Sequence, residues 1–330
     1  MMLKILITGV GGPAAICVYK SLKKKGYQLF MADMDPLATG LFLVDPSKRF
    51  VIPSGTSIHF NKTILNLCKL HQIDILIPTV DSELIPLVKI KTDFDSINCH
   101  LMTSTEEVLN TVLDKLTLMN KCKGKVALPD FQSLENYLEN PKIFSQKIVF
   151  KPRRGSGSRG VFIVETTDKE QLSKLPKDTY MVQEFINGKE YSIDIMLNIN
   201  GSAVAAVARE RLKTDSGVVI ASKTLKNKII TDYAITIAKT TGIRYGANIQ
   251  VMTNDKGEPL LLEINPRFSG GLSLTIKSGI NIPSLCIDHI IFQKALSYRD
   301  YKEISMVRYY TEHFMPNSEL NKYQKIEPNI

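Results

Sequence analysis

An α/β segment followed by strand-rich α+β segments is the fold class this 330-residue chain predicts. Two observations carry it. In the first third, buried-type strands alternate with amphipathic helices: strand 3–8, helix 14–25 closed by Gly26, strand 28–32, helix 61–71, strand 73–78. That alternation predicts a doubly wound parallel sheet. Further on, apolar runs are joined by tight turns instead of helices. Asn187-Gly188, Asn200-Gly201 and Asn254-Asp255-Lys256-Gly257 mark antiparallel hairpins.

Composition narrows the function classes. Hydrophobic residues make up 44% and charged residues 23%, ordinary for a globular protein. No apolar run approaches the ~20 residues that span a bilayer, and the N-terminus enters a strand directly, so neither membrane insertion nor a signal peptide is expected. Cys17, Cys68, Cys99, Cys122 and Cys286 lack C-x-x-C spacing, which argues against zinc and a disulfide framework and for a cytoplasmic setting. The net charge of +9 comes from dispersed lysines and suits anionic small ligands as well as nucleic acid.

Gly9-Val10-Gly11-Gly12-Pro13, with Asp33 and Asp35 after the second strand, invites a dinucleotide reading. The last glycine of G-x-G-x-x-G is replaced by Ala14, so the loop is read as a packing turn in preference to an NAD site. Asp81 and Glu83 follow a strand end, where ligands approach open sheets, yet they also suit the start of a helix. Ser104-Thr105-Glu106-Glu107 reads as a capping box opening one helix over 105–120 that carries Lys115.

The strand Lys147–Pro152 delivers Lys151 to Arg153-Arg154-Gly155-Ser156-Gly157-Ser158-Arg159-Gly160. Glycine backbones approach a phosphate closely and arginines neutralise its charge; a bare hairpin tip is the alternative. The strand over 180–186 contains Gln183, Glu184, Phe185 and Ile186, and Glu190 follows the Asn187-Gly188 turn. On the return strand after Asn200-Gly201, Arg209 and Arg211 share one face. They could hold a substrate carboxylate or phosphate, or be exposed edge charges.

The most telling stretch is Leu260-Leu261-Leu262-Glu263-Ile264-Asn265-Pro266-Arg267. Strict alternation puts Glu263, Asn265 and roughly Arg267 on one face and Leu262 and Ile264 on the other. A carboxylate, an amide and a guanidinium ending a core strand call for a partner, because a buried charge is costly alone. Oxygen ligands suit magnesium, and arginine suits an oxyanion. Pairing Thr253 with Leu260 would set Gln250 opposite Glu263. The tail from Asn317 reads as polar and loose.

These segments, in this order, resemble the ATP-grasp superfamily, most nearly the ATP-binding unit of the carbamoyl phosphate synthetase large subunit. The resemblance covers roughly 110–285. It implies an N-terminal Rossmann-like domain over 1–105, a small lid subdomain over 106–185, and a C-terminal subdomain with the metal site over 186–330. It further implies that Lys115, Lys151, Gly155, Ser156, Gly157 and Ser158 contact ATP phosphates. Gln183, Glu184, Phe185 and Ile186 would hold adenine and Glu190 the ribose. Gln250, Glu263 and Asn265 would ligate Mg2+ (or Mn2+), Arg267 with Lys151 would be catalytic, and Arg209 and Arg211 would bind substrate. The implied activity is a carbon–nitrogen ligase that activates a carboxylate as an acylphosphate and joins it to an amine. Its partners would be small molecules, with no nucleic acid or membrane and a homodimer as the expected assembly. The synthetase duplicates this unit and the present chain holds one, so a bicarbonate-activating or kinase-like enzyme and a non-catalytic ATP-binding module stand as alternatives.

Overall fold

Strand β1 (Lys4–Thr8) is buried on both sides: Ile5 and Ile7 pack into one core and Leu6 into another. Two-sided burial is what a parallel sheet between helical layers requires. The computed structural model describes residues 2–140, 147–155, 157, 159–165, 175–215 and 217–326. In it, β1 pairs in parallel with β2 (Gln28–Asp33), which pairs with β3 (Arg49–Val51). On the other side follow β4 (Ile75–Ile77) and β5 (His100–Leu101), also parallel. Helix α1 (Pro13–Lys23) covers the Ile5 face and α2 (Phe60–His71) the Leu6 face. Helices α3 (Asp81–Lys89) and α4 (Lys91–Ser96) lead into β5. The expected doubly wound sheet is therefore present.

The helix expected over 105–120 is two helices. Thr105, not Ser104, caps α5 (Glu106–Val112) by accepting the Val108 amide. Ser104 instead exchanges hydrogen bonds with the backbone of Arg244. The chain breaks at Asp114, whose side chain caps α6 (Lys115–Cys122) through the Thr117 amide. A second capping residue inside one apolar pattern makes the break, and it places Lys115 at a helix start.

Next comes a four-stranded antiparallel sheet of β6 (Phe131–Ser133), β7 (Lys147–Pro152), β8 (Phe162–Glu165) and β9 (Tyr180–Glu184), ordered β6-β9-β7-β8. Helix α7 (Leu134–Glu139) packs on it through Leu134 and Tyr137.

The third sheet holds β10 (Glu190–Leu197), β11 (Ala203–Asp215), β12 (Val218–Thr224), β13 (Tyr245–Thr253), β14 (Pro259–Asn265) and β15 (Ser305–Val307). Their order is β14-β13-β10-β11-β12-β15. One face packs on α8 (Lys228–Thr241) through Tyr191, Ile193, Ala208, Ile249 and Val251. Helix α8 stops at Gly242, in the left-handed region at φ 72°, as a C-terminal glycine should. Helices α9 (Leu272–Lys277) and α10 (Ile282–Ile290) tie this sheet to α1 in the first core. Among the described residues no helix is long and apolar enough to cross a membrane.

Two sequence expectations are corrected here. Thr253 pairs with Pro259 and Met252 with Leu260, one residue from the assumed register. A bulge between Gln250 and Val251 absorbs the difference, so Gln250 still faces Glu263. The extra residue is Leu262, which leaves strict alternation and turns its carbonyl to Lys151; bulges commonly re-aim groups in this way. The tail is not loose throughout: Gln324–Lys325 forms β16, parallel to β3, with Ile326 packed against the second core.

Gly188, in the turn before β10, allows the closest approach. A Cβ there would lie 1.6 Å from the Thr253 carbonyl oxygen, a backbone atom of β13. Gly188→Ala is expected to destabilise the fold by about 3 kcal/mol, the upper range for overpacking, as read by urea unfolding. A change below about 0.5 kcal/mol, the level of an ordinary surface substitution, would contradict it.

Candidate active site

The face of the third sheet opposite α8 is polar because its register aligns polar residues from successive strands. Ser192 lies between Arg209 on β11 and Gln250 on β13, Gln250 faces Glu263, and Asn248 faces Asn265. This face separates two adjoining cavities, one of about 430 Å3 toward the β7–β8 hairpin and one of about 1150 Å3 toward the N-terminal sheet. Both are lined by Lys115, Gly155, Gly157, Arg211, Gln250 and Glu263.

The smaller cavity gathers most of the residues anticipated for a nucleotide. Lys151, at the end of β7, is buried and donates to Gln183 Oε1 at 2.6 Å and to the Leu262 carbonyl at 3.2 Å. Burial pushes its ammonium down to about 7; Lys115 adds to the shift and Glu263 opposes it. Lys115 Nζ donates to the Gly155 carbonyl at 2.8 Å and lies 3.4 Å from Glu263 Oε2. Phe185 and Ile186 line the wall. Glu184 does not; its carboxylate accepts from the Asp130 amide. Glu190 lines the cavity with Arg211 Nε 3.0 Å away. Burial raises the Glu190 carboxyl, Arg211 opposes and Glu263 reinforces. Ser156 and Ser158 lie outside the described residues.

The glycine loop is only partly as expected. Gly155 and Gly157 have φ of 134° and 70°, a backbone for which glycine is suited. Arg153 and Arg154 do not project into the phosphate space. Arg153 meets Asp114 at 2.8 Å and Arg154 lies 3.8 Å from it, because Asp114, the α6 cap, is the nearest anion. Burial alone would raise the Asp114 carboxyl, but the Arg153 and Thr117 donors outweigh it and hold it low. Arg159 lines both cavities.

At the wall between the cavities, Asn265 Nδ2 donates to Glu263 Oε1 at 3.3 Å, and Arg267 Nη2 donates to Asn265 Oδ1 at 3.1 Å. Arg267 is also held from the N-terminal sheet: Asp81 accepts from Nη2 at 3.1 Å and lies 2.9 Å from Nε. Arg209 is separated from this group. It is 1% exposed, donates through Nη2 to Asp194 at 2.9 Å and Ser269 at 3.0 Å, and leaves Nε and Nη1 without a hydrogen-bond partner. The two arginines thus divide, Arg211 reaching the smaller cavity and Arg209 only the larger.

Asn248, Asp114 and the Leu262 carbonyl went unread as site groups, while Asp81 was weighed as a ligand contact against a helix start. Asn248 had a signal, being two residues before Gln250 on the same strand face. Asp81 read equally as a helix start, and it does start α3; only the meeting of β14 with the first sheet reveals its partner. The Gly9–Gly12 loop, discounted as a dinucleotide site, lines the larger cavity.

Residues 176–313 match the family described as ATP-grasp in the biosynthetic pathway with Ter operon, and residues 5–102 match the PylC-like N-terminal domain. A D-alanine–D-alanine ligase from Thermotoga maritima is 31% identical over 105 residues, 30% of this chain and 34% of that protein. The match therefore spans about a third of the length of this curated relative. An ADP complex of N5-carboxyaminoimidazole ribonucleotide synthetase superposes with a TM-score of 0.74 at 14% identity, covering 93% of this chain and 82% of that one. An L-amino acid ligase from Bacillus licheniformis superposes with a TM-score of 0.67 at 17% identity, covering 87% and 73%. The overall fold is thus shared with these structures, and residues 176–313 carry the match to an ATP-grasp family.

Proposed function

We propose that this protein is a Mg-ATP-dependent ligase that activates a carboxylate as an acylphosphate and joins it to an amine. The observation that carries the reading is the wall of Gln250, Glu263, Asn265 and Arg267 between a cavity lined by Lys115 and Lys151 and a second, larger cavity. A phosphoryl donor and its acceptor would meet across it.

Among the described residues no three His, Cys, Asp or Glu side chains form a metal-binding group. Glu263 with the amide oxygen of Gln250, and that of Asn265 once it turns from Arg267, would nonetheless suit a hard cation that keeps several ligands as water and phosphate oxygen. Mg2+ or Mn2+ held there would neutralise charge on the transferring phosphate. The chain's own groups do the rest. Lys115 and Lys151 balance the phosphate charge, Phe185 and Ile186 line the base, and Glu190 faces the ribose once Arg211 turns to phosphate. Arg267 stabilises the phosphoryl group as the acid's oxygen bonds to phosphorus and the bond to ADP breaks. The amine nitrogen then bonds to the acyl carbon, releasing phosphate and a proton. Gly155, Gly157 and Arg159, which line the smaller cavity, would help to exclude water from the acylphosphate. The lid and metal-bearing parts are taken as 106–185 and 186–330, after an N-terminal part at 1–105. Five buried free cysteines support a cytoplasmic setting.

An ADP-release screen over amino acids and small carboxylates with amine acceptors tests this. Turnover with an amide product is expected, and Glu263→Ala should lower it at least ~100-fold. A product carrying phosphate but no nitrogen would favour the kinase-like alternative. No turnover, with Glu263→Ala unchanged in Mg-ATP affinity, would refute the reading.

A further inference from the structure

After β15 the chain leaves the third sheet and crosses to the first, where it pairs as β16. Between the two strands runs Arg308-Tyr309-Tyr310-Thr311-Glu312-His313-Phe314. Its aromatic and β-branched residues suit a strand, yet among the described residues no backbone hydrogen bond involves 309–315. β15 is also an edge strand, so the outer side of Ser305–Val307 is open. Tyr309, Tyr310 and Phe314 are 87%, 91% and 89% exposed, and Val307 before them 79%. Single exposed hydrophobics are ordinary, but four of them along eight residues of open edge and unpaired backbone mark a surface that another chain covers.

We propose that this segment is a homodimer interface, in which residues 305–314 of two copies pair antiparallel about a two-fold axis through Tyr310. Nothing in the pairing depends on the ligase reading.

Charge selects a second copy as the occupant and sets the register. In an antiparallel pair centred on Tyr310, Arg308 of each copy lies opposite Glu312 of the other, which gives two symmetry-related ion pairs. Tyr309 as the centre would set Arg308 against Tyr310, and Thr311 as the centre would set it against Phe314, so both pairs would be lost. The same register opposes Met306 to Phe314, Val307 to His313 and Tyr310 to itself. Such opposed pairs are the unit of sheet stabilisation.

The backbone agrees. The Arg308 amide donates inward to the Ile220 carbonyl at 2.8 Å. Continued as a strand, the chain would then turn the hydrogen-bonding groups of 307, 309, 311 and 313 outward. Those are the residues this register joins, 307 to 313 and 309 to 311; an axis between two residues would mismatch them. Arg308 is held beforehand, since its Nη2 donates to the Gly270 carbonyl. Glu312 is exposed and, among the described residues, forms no ion pair within the chain. Three aromatics per copy bring about 150–250 Å2 each, and covering them reaches the roughly 1,000 Å2 expected of a specific interface.

Sedimentation velocity of the full chain over a wide concentration range tests this, and a monomer–dimer equilibrium is expected. Glu312→Arg and Arg308→Glu should each weaken the dimer by about ten-fold or more, because each sets like charges opposite one another twice. An equimolar mixture of the two variants should restore the dimer, since one copy then carries both positive charges and the other both negative ones. Arg308→Glu also gives up the Gly270 bond, so a second measurement stands beside it. Tyr310→Cys lies on the axis, where opposed Cα atoms are about 4.5–5.5 Å apart, within disulfide reach. It should cross-link to itself under the thiol oxidant diamide, whereas Thr311→Cys should not; the five native cysteines are buried. A monomer at every concentration, the result if a lipid surface or a different protein covers the segment, would overturn the proposal. So would a dimer indifferent to Glu312→Arg, or one that Thr311→Cys cross-links as readily as Tyr310→Cys.

Discussion

Arg267→Met is expected to retain ATP and to lose about 10^2- to 10^3-fold in ADP release with any carboxylate the unaltered protein uses, the usual cost of removing one donor to a developing oxyanion. Four side-chain contacts define the residue's position: Asn265 at the end of β14, the Phe268 carbonyl, and two approaches to Asp81 at the start of α3. Because Arg267 lines the larger cavity and not the 430 Å3 space, nucleotide affinity should change little. Asp81→Asn should then give a smaller loss of about ten-fold in kcat with KM for ATP unchanged, since it holds Arg267 without touching the nucleotide cavity. Equal losses in ATP affinity and in turnover for Arg267→Met would place the residue in binding and contradict this assignment.

Glu83→Gln should stabilise the ligand-free protein at pH 8 and leave it nearly unchanged at pH 5. The folded chain holds the Glu83 carboxyl at about 7 against an ordinary value of 4.5, with burial the largest cause, Thr8 opposing and Asp33 adding. Between those values the folded form keeps a proton that the unfolded chain releases. Stability contributed by this group therefore falls as pH rises from 4.5 through 7. The interval corresponds to about 3 kcal/mol, which the amide avoids while still accepting from Thr8. Urea unfolding of both proteins at pH 5 and 8 measures it. A stability difference independent of pH would show that Glu83 is not held protonated by its surroundings.

How much was legible beforehand differs between the sheets. In the first, Ile5, Leu6 and Ile7 form an apolar run that only a two-sided core accommodates, and the parallel sheet followed from it. In the third, the opposition of Gln250 and Glu263 was anticipated from an incorrect anchor. Thr253 pairs with Pro259, and the bulge at Leu262 restored the alignment. A bulge has no reliable signature in an apolar run such as Leu260-Leu261-Leu262, because it arises from competing packing on the two sides of the strand.

The types and spacing of Glu263, Asn265 and Arg267 were enough to suggest a metal and a phosphate, since local strand periodicity puts those groups on one face; Lys151 reaches them from another sheet. Which charges remain available is a different matter. Arg153 and Arg154 were assigned to phosphate and meet Asp114 instead, while Asp81 crosses from the first sheet to Arg267. Such pairings depend on distances between residues far apart in the chain, and no local pattern encodes them. Glu263-x-Asn265-Pro266-Arg267 was thus readable as a set of ligands, but its opposing cavity, with Asp33 and Glu83 at one end and Arg209 at the other, exists only where the two sheets meet.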